Sequence, residues 1–188
     1  FEVQGEMFDA ALPIHKKFLP TVRNISNDNA IVNEWDVPHT IKELSYLVHS
    51  HYRYYGKFPS VVAGQILDSV PVPSKEHYMI DNFCGSGTSL VEAKLRDIKS
   101  YGIDISWLAV LASNVKVRHV ELKEVERLLA VIAIKFDSSK DDFTSPEDKF
   151  CSKWFNDEAA RDLLVIQGLI YEIPASDVRD FLVVAFIG

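Results

Sequence analysis

From Thr40 onward the apolar residues recur with a helical period. Ile41, Leu44, Leu47 and Val48 share one face behind a capping Thr40 and predict a helix. The stretch His51-Tyr-Arg-Tyr-Tyr-Gly-Lys-Phe-Pro59 ends it, with Gly56 placed as the C-cap. Ser60 to Val70 predicts a second helix, stopped by Pro71 and Pro73. His77-Tyr-Met-Ile-Asp81 is a short apolar run ending in an acid and predicts a buried strand. A loop of small residues follows, Asn82-Phe-Cys-Gly-Ser-Gly-Thr-Ser89, and then a helix over Leu90 to Arg96. Ser100-Tyr-Gly-Ile-Asp-Ile105 predicts a second strand, and Ser106 caps a helix running to about Val117. Strand, glycine loop, helix, strand, helix is the opening of a parallel α/β sheet. Such a sheet, buried on both faces, needs more than two strands, so the fold is expected to be incomplete within this chain.

The rest is mostly helical. Leu122, Val125, Leu128, Leu129 and Ile132 make one stripe in a helix over Glu121 to Lys135. Asp137 to Asp148 is a charged, serine-rich surface loop, and Glu158 to Ile170 and Ser176 to Phe186 are further helices separated by Pro174. Residues 1–38, punctuated by Pro13, Pro20 and Pro38 and polar from Asn24 to Asn33, read as a turn-rich N-terminal arm. Residues 39–188 then form the main unit.

Composition narrows the class. The chain has 188 residues, 47% hydrophobic and 25% charged, which suits a globular domain and excludes disordered or collagenous chains. A formal net charge of −7 argues against a free-standing nucleic-acid binder. No apolar run reaches the length of a membrane helix, and nothing resembles a signal peptide behind Phe1. Two cysteines, Cys84 and Cys151, make neither a disulfide framework nor a zinc site, so a reducing cytoplasm is expected and no metal. Phe181-Leu-Val-Val-Ala-Phe-Ile-Gly188 is apolar to its last residue, and polar termini are the norm. The expectation is that the domain is completed beyond Gly188, by further sequence or by a second polypeptide.

The chemistry concentrates in Asp81-Asn-Phe-Cys-Gly-Ser-Gly-Thr88. Gly85 and Gly87 at a strand-to-helix turn allow positive φ and close approach of a ligand to the backbone. The helix that follows offers unpaired N–H groups and partial positive charge. A dinucleotide fingerprint would require glycine where Leu90 stands, and a phosphate-binding P-loop would require Gly-Lys-Ser/Thr, which is absent. A nucleoside with an anionic tail fits better. Asp104, ending the next strand, is placed to accept both hydrogen bonds of a ribose diol, or else to cap the helix beginning near Ser106.

Asp81-Asn-Phe-Cys-Gly-Ser-Gly-Thr-Ser-Leu-Val-Glu-Ala93 followed by Tyr101-Gly-Ile-Asp-Ile105 resembles the cofactor motifs of S-adenosylmethionine-dependent amino-methyltransferases acting on DNA, which usually read Asp-Pro-Phe-x-Gly-Ser-Gly-Thr and Gly-Ile-Asp. His51-Tyr-Arg-Tyr-Tyr-Gly-Lys-Phe-Pro59 resembles the segment that precedes the glycine loop in that family and closes over the cofactor. Lys153-Trp-Phe155 before a helix is similar to a further family segment. The likeness runs roughly from Ile41 to Ile187, with its specific part from Asp81 to Asp104. Asn82 stands where the family usually has Pro, and Ser89 where Thr is common.

The resemblance implies an α/β fold of the class I methyltransferase (Rossmann-like) type, with helical additions at both ends, and S-adenosylmethionine as cofactor. It implies that Phe83, Gly85, Ser86, Gly87 and Thr88, with Asp81 and Cys84 in the same loop, surround the methionine moiety. Asp104 would hold the ribose, with Ile105 and Trp107 near the adenine, and Lys57, Phe58 and Pro59 would line the other side. Family members methylate an exocyclic amine of adenine or cytosine through an Asp/Asn/Ser-Pro-Pro-aromatic loop that receives the flipped base. None of the prolines in this chain is followed by another, so no catalytic residue is assigned. The catalytic loop is expected later in the polypeptide or in a partner. Two alternatives remain open: an RNA methyltransferase with a similar glycine loop, and a non-catalytic subunit keeping the fold.

Blander readings attach to single residues. Cys84 reads as a small buried filler, with no basic neighbour in sequence to lower its pKa. Tyr52, Tyr54, Tyr55 and Phe58 divide between core packing and cofactor lining. His49 and His51 do not share a helix face and suggest no metal. Lys16-Lys17, Lys94, Arg96 and Lys99 read as solvated charges.

Overall fold

A computed structural model describes residues 21–27, 30–40, 42–44, 46–52, 54, 56–70, 77–139 and 151–188. The chain divides into two compact units after Val117.

The first unit opens with an antiparallel hairpin. Strand β1 (Thr21–Asn27) pairs with β2 (Ala30–Asp36), in a register that sets Asn27 opposite Ala30 and Thr21 opposite Asp36. This corrects the expected turn-rich arm over Asn24 to Asn33. Thr21, Val22, Ile25, Ile31 and Val32 are strand formers spaced among the polar residues, and cross-strand pairing carries asparagines that would favour turns in isolation.

The helix expected from Thr40 is also corrected. Its start is as read: the Glu43 amide donates to Thr40 Oγ1 at 3.3 Å, and the Thr40 amide donates to Glu43 Oε2 at 2.8 Å, a reciprocal capping box. Leu47, however, has φ of 49°, which ends any continuous helix, and Leu47–Ser50 forms a single 3-10 turn. The break turns Tyr46 and His49 inward, where both are buried. Gly56 has the positive φ expected of it, 78°, but no helix ends there among the described residues.

Helix α1 (Ser60–Ser69) follows Pro59. Strand β3 (Tyr78–Asp81) and strand β4 (Lys99–Gly102) are parallel, with Tyr78 opposite Lys99 and Asp81 opposite Gly102. They are joined through α2 (Thr88–Lys94), and α3 (Trp107–Val117) comes after β4. Tyr46, Val61, Val62, Val91 and Leu95 form a buried cluster where α1 packs on α2, and Ala109, Ala112 and Val115 bury the inner side of α3.

The strands are not buried as expected. Tyr78 and Ile80 on β3 are 56% and 60% exposed, Tyr101 on β4 is 62% exposed, and the two tyrosine rings meet edge to face at 5.2 Å. A two-stranded sheet covered on one side leaves its other face in water. Lys94 and Arg96 are not solvated charges either. Lys94 Nζ donates to the Val117 carbonyl, and the Arg96 side chain is only 10% exposed.

The described part of the second unit is helical: α4 (Leu122–Ser139), α5 (Cys151–Trp154), α6 (Asp157–Tyr171) and α7 (Asp177–Ile187). Asn156 Oδ1 accepts from the Ala159 amide at 2.8 Å and Ser176 Oγ from the Arg179 amide at 3.2 Å, so α6 and α7 are side-chain capped. Val125 and Leu128 of α4, Val165 and Leu169 of α6, and Leu182 to Val184 of α7 are buried. Helix α4 runs four residues past Lys135 into the expected loop, of which residues 140–148 lie outside the described residues. Among the described residues, no helix is long and apolar enough to cross a membrane.

Candidate functional site

The turn from β3 into α2 is built by Asp81. Its Oδ1 accepts from the Phe83 amide at 3.0 Å, its Oδ2 accepts from Ser89 Oγ, and its carbonyl accepts from the Ile103 amide at 2.8 Å. The Cys84 amide donates to the Ile103 carbonyl at 3.1 Å, which hooks the loop onto the chain leaving β4. Gly85 and Gly87 have φ of 50° and 81°. A Cβ on Gly85 would stand 3.0 Å from Cε1 of Tyr54, and one on Gly87 would stand 2.7 Å from Cβ of Ser113 on α3. The two glycines therefore serve the backbone turn and the close approach of two neighbours together.

Asp104 closes the loop from the other strand. Its Oδ2 accepts from the Gly85 amide and its Oδ1 from the Ser106 amide, both at 2.9 Å. Capping of α3 falls instead to Ser106, whose Oγ accepts from the Ala109 amide at 3.3 Å. Each Asp104 oxygen keeps a second lone pair for another donor.

These parts surround a cleft of about 920 Å³, within the usual range for small-molecule sites. Of the residues singled out in the sequence, Lys57 and Phe58 line one side. Asp81, Phe83, Cys84, Gly85, Ser86 and Thr88 line the loop side, and Asp104 and Ile105 line the third. Pro59, Gly87 and Trp107 lie off the lining: Pro59 precedes α1, Gly87 is buried against Ser113, and Trp107 is 66% exposed at the start of α3. Ala63, Ile66 and Leu67 of α1 and Met79 of β3 supply apolar lining that the sequence did not single out, because an apolar residue in a helix or strand does not by itself mark a cleft. Tyr54, divided between core and cleft in the sequence, lines the cleft and packs on Gly85.

The chemistry of the lining is that of a binding site. Burial pushes the Cys84 thiol up, so it stays protonated and poorly nucleophilic at neutral pH. Burial pulls the Lys57 ammonium down, and Lys57 Nζ donates to the His49 carbonyl at 2.6 Å. Ser86 Oγ is buried with no hydrogen-bond partner among the described residues, a polar atom at the cleft left for a ligand. Phe58 and Phe83, 50% and 83% exposed, offer apolar surface beside it.

No protein-family model matches the chain, and no solved structure does. Two curated proteins do. The chain is 31% identical over 134 residues to type II methyltransferase M.MjaII of Methanocaldococcus jannaschii, a match covering 64% of this chain and 24% of that protein. It is 28% identical over 116 residues to type II methyltransferase M.MvaI of Kocuria varians, covering 57% of this chain and 26% of that protein. The chain is related to type II methyltransferases. The matched stretches span about a quarter of each relative's length. A mixed helix and strand unit with a small parallel sheet and a cleft at the glycine loop agrees with an α/β fold.

Proposed function

We propose that this chain is the cofactor-binding part of a DNA amino-methyltransferase of restriction–modification type, with a class I, Rossmann-like fold. The observation that carries the reading is the Asp104–Gly85 hydrogen bond inside the cleft, which joins the acid after the second strand to the glycine loop after the first. A nucleoside ligand needs that pairing: an acceptor for ribose hydroxyls, and a glycine backbone that a ligand tail can approach. The residues suit S-adenosylmethionine on this count. The unpartnered Ser86 hydroxyl and the Asp104 lone pairs can take its polar groups, and Phe58, Phe83 and Ile105 its apolar surface.

When bound, S-adenosylmethionine supplies an electrophilic methyl on a sulfonium. In the proposed reaction the chain's own residues bind and orient. Asp104 holds the ribose from one side, Gly85 to Thr88 receive the amino-acid end, and Lys57 and Phe58 close the opposite wall. Fixing the donor in one orientation is the main contribution such a domain makes to an in-line transfer. The target is proposed as an exocyclic amine of adenine or cytosine. The relatives' names support a methyltransferase, and the segment His51–Pro59 ahead of the glycine loop supports DNA over RNA. With no Pro-Pro pair in this stretch, the catalytic loop is placed elsewhere in the full-length protein or in a second polypeptide. That same absence favours, as a second reading, a subunit that binds cofactor without transferring the methyl. The proposed setting is the cytoplasm. Transfer of labelled methyl from S-adenosylmethionine to DNA by the full-length protein tests the enzyme reading. Cofactor binding without transfer to DNA or RNA would support the non-catalytic one.

A further inference from the structure

The two walls of the cleft end in one buried polar cluster that the chemistry above does not use. Glu92 on α2 is 0% exposed. Its Oε1 accepts from the Tyr46 hydroxyl and lies 2.9 Å from His49 Nε2, and its Oε2 lies 2.6 Å from Arg96 Nη1. Arg96 then reaches Asp68 on α1 with both Nε and Nη2, at 2.7 and 2.9 Å. His49, also 0% exposed, carries the connection onward: its carbonyl accepts from Lys57 Nζ at 2.6 Å.

The chain path makes this cluster a spacer. Helix α1 begins directly after the wall residues Lys57, Phe58 and Pro59, and α2 begins directly after the glycine loop. Helix α1 comes so close at Gly64 that a Cβ there would stand 2.6 Å from Arg96 Nη2 and 2.8 Å from Glu92 Oε2. Ser60 Oγ, at the start of α1, donates to the Leu44 carbonyl at 3.0 Å and pins the same end. Burying a carboxylate is unfavourable unless it is paired, and both Glu92 oxygens are. His49 is held through Nε2 alone, its Nδ1 being buried with no hydrogen-bond partner among the described residues, so the paired groups favour one arrangement. That arrangement fixes how far the Lys57–Pro59 wall stands from the loop.

We infer that Glu92 and His49 are positioning residues for the cofactor cleft, with His49 relaying the placement of Glu92 on α2 to Lys57 on the cleft wall. Glu92 and Lys57 have no direct hydrogen bond to each other, so their energetic coupling runs through the His49 residue, ring on one side and carbonyl on the other. The inference rests on the cofactor reading and adds which buried groups set the cleft.

The test is a double-mutant cycle on S-adenosylmethionine affinity in the full-length protein, by calorimetry, at a temperature where each variant is folded by circular dichroism. Lys57→Met, which removes a wall residue, and Glu92→Gln, which removes the group that seats it, are each expected to weaken binding about tenfold. Combined, they are expected to weaken it little further, because Lys57 is already unseated once Glu92 is changed; the shortfall from additivity is about fivefold or more. Fully additive losses, or Glu92→Gln binding like wild type, would overturn the positioning role while leaving the cofactor reading intact. No binding by wild type would overturn both. If Glu92→Gln does not fold, Arg96→Lys replaces it in the cycle, since it keeps the charge and removes the fork between Glu92 and Asp68.

Discussion

Asp104 accepts the Gly85 amide on one carboxylate oxygen and the Ser106 amide on the other, both at 2.9 Å, so a single side chain sets the glycine loop and the exit of the second strand. Replacing it with Asn keeps the size and one acceptor but points an NH₂ at an amide N–H. On the proposed reading Asp104→Asn weakens S-adenosylmethionine binding by about 2 kcal/mol, the range for hydrogen bonds to a charged group. Calorimetry reads the affinity, and a thermal melt separates it from any loss of folding.

Gly87 tests the loop's backbone. It combines a φ of 81° with a site where a Cβ would stand 2.7 Å from Ser113 Cβ. Gly87→Ala is expected to lower stability by about 2 to 4 kcal/mol from strain and overpacking together. Adding Ser113→Gly is expected to restore only part of that, because the positive φ remains. Urea unfolding of the two variants measures both numbers.

The Glu92 cluster predicts acid sensitivity. Burial pushes the His49 imidazole down against the opposing pull of Glu92. Burial also pushes the Glu92 carboxyl up, yet hydrogen bonds from His49 and Tyr46 and the Arg96 charge bring it below its ordinary value. Both groups therefore bind fewer protons folded than unfolded. The contribution of these two groups is full above pH 6.5, falls first as unfolded histidine takes up protons, and falls again below pH 4.5 as unfolded Glu92 does. His51, also lowered by burial, acts in the same direction. His49→Gln is expected to flatten part of the decline between pH 6.5 and 5 in urea midpoints.

Lys116 makes the opposite prediction at high pH. Its ammonium is buried with no hydrogen-bond partner among the described residues, and burial together with the Lys57 charge lowers its pKa from 10.5 to about 8. The folded state loses this proton before the unfolded state does, so stability rises as pH climbs from about 8 to 10.5. Lys57 and Lys94, lowered by burial, add to that rise. Lys116→Met should raise the melting temperature at pH 7 by removing a penalty of about 3 kcal/mol, and should reduce the alkaline rise.

Much of the site was legible in the sequence because local chemistry writes it. The spacing of Asp81, Gly85, Gly87 and Asp104 follows from what a tight turn and a following acid need, and the structure brings these residues to one cleft, with Gly87 just behind the lining. The helices from Ser60, Trp107, Asp157 and Asp177 were legible from amphipathic pattern, bounding prolines and the Ser106 cap. Three things were not. The hairpin over Thr21 to Asp36 draws on pairing between strands, which the Asn-rich composition masks. The break at Leu47 serves burial of Tyr46 and His49 against a carboxylate 43 residues from His49. Lys94 and Arg96 looked like surface charges because the Val117 carbonyl and Asp68, which hold them, are distant in sequence, and because the nearby partner of Arg96, Glu92, itself reads as an exposed charge until its burial is seen.

The central claim is that this cleft holds S-adenosylmethionine through Asp104. Equilibrium binding of S-adenosylmethionine to the full-length protein, wild type beside Asp104→Asn, tests it most directly. The account predicts stoichiometric binding by wild type and affinity about thirtyfold lower in the variant, the equivalent of the 2 kcal/mol above. No binding by folded wild type, or equal affinity in the two proteins, would contradict it.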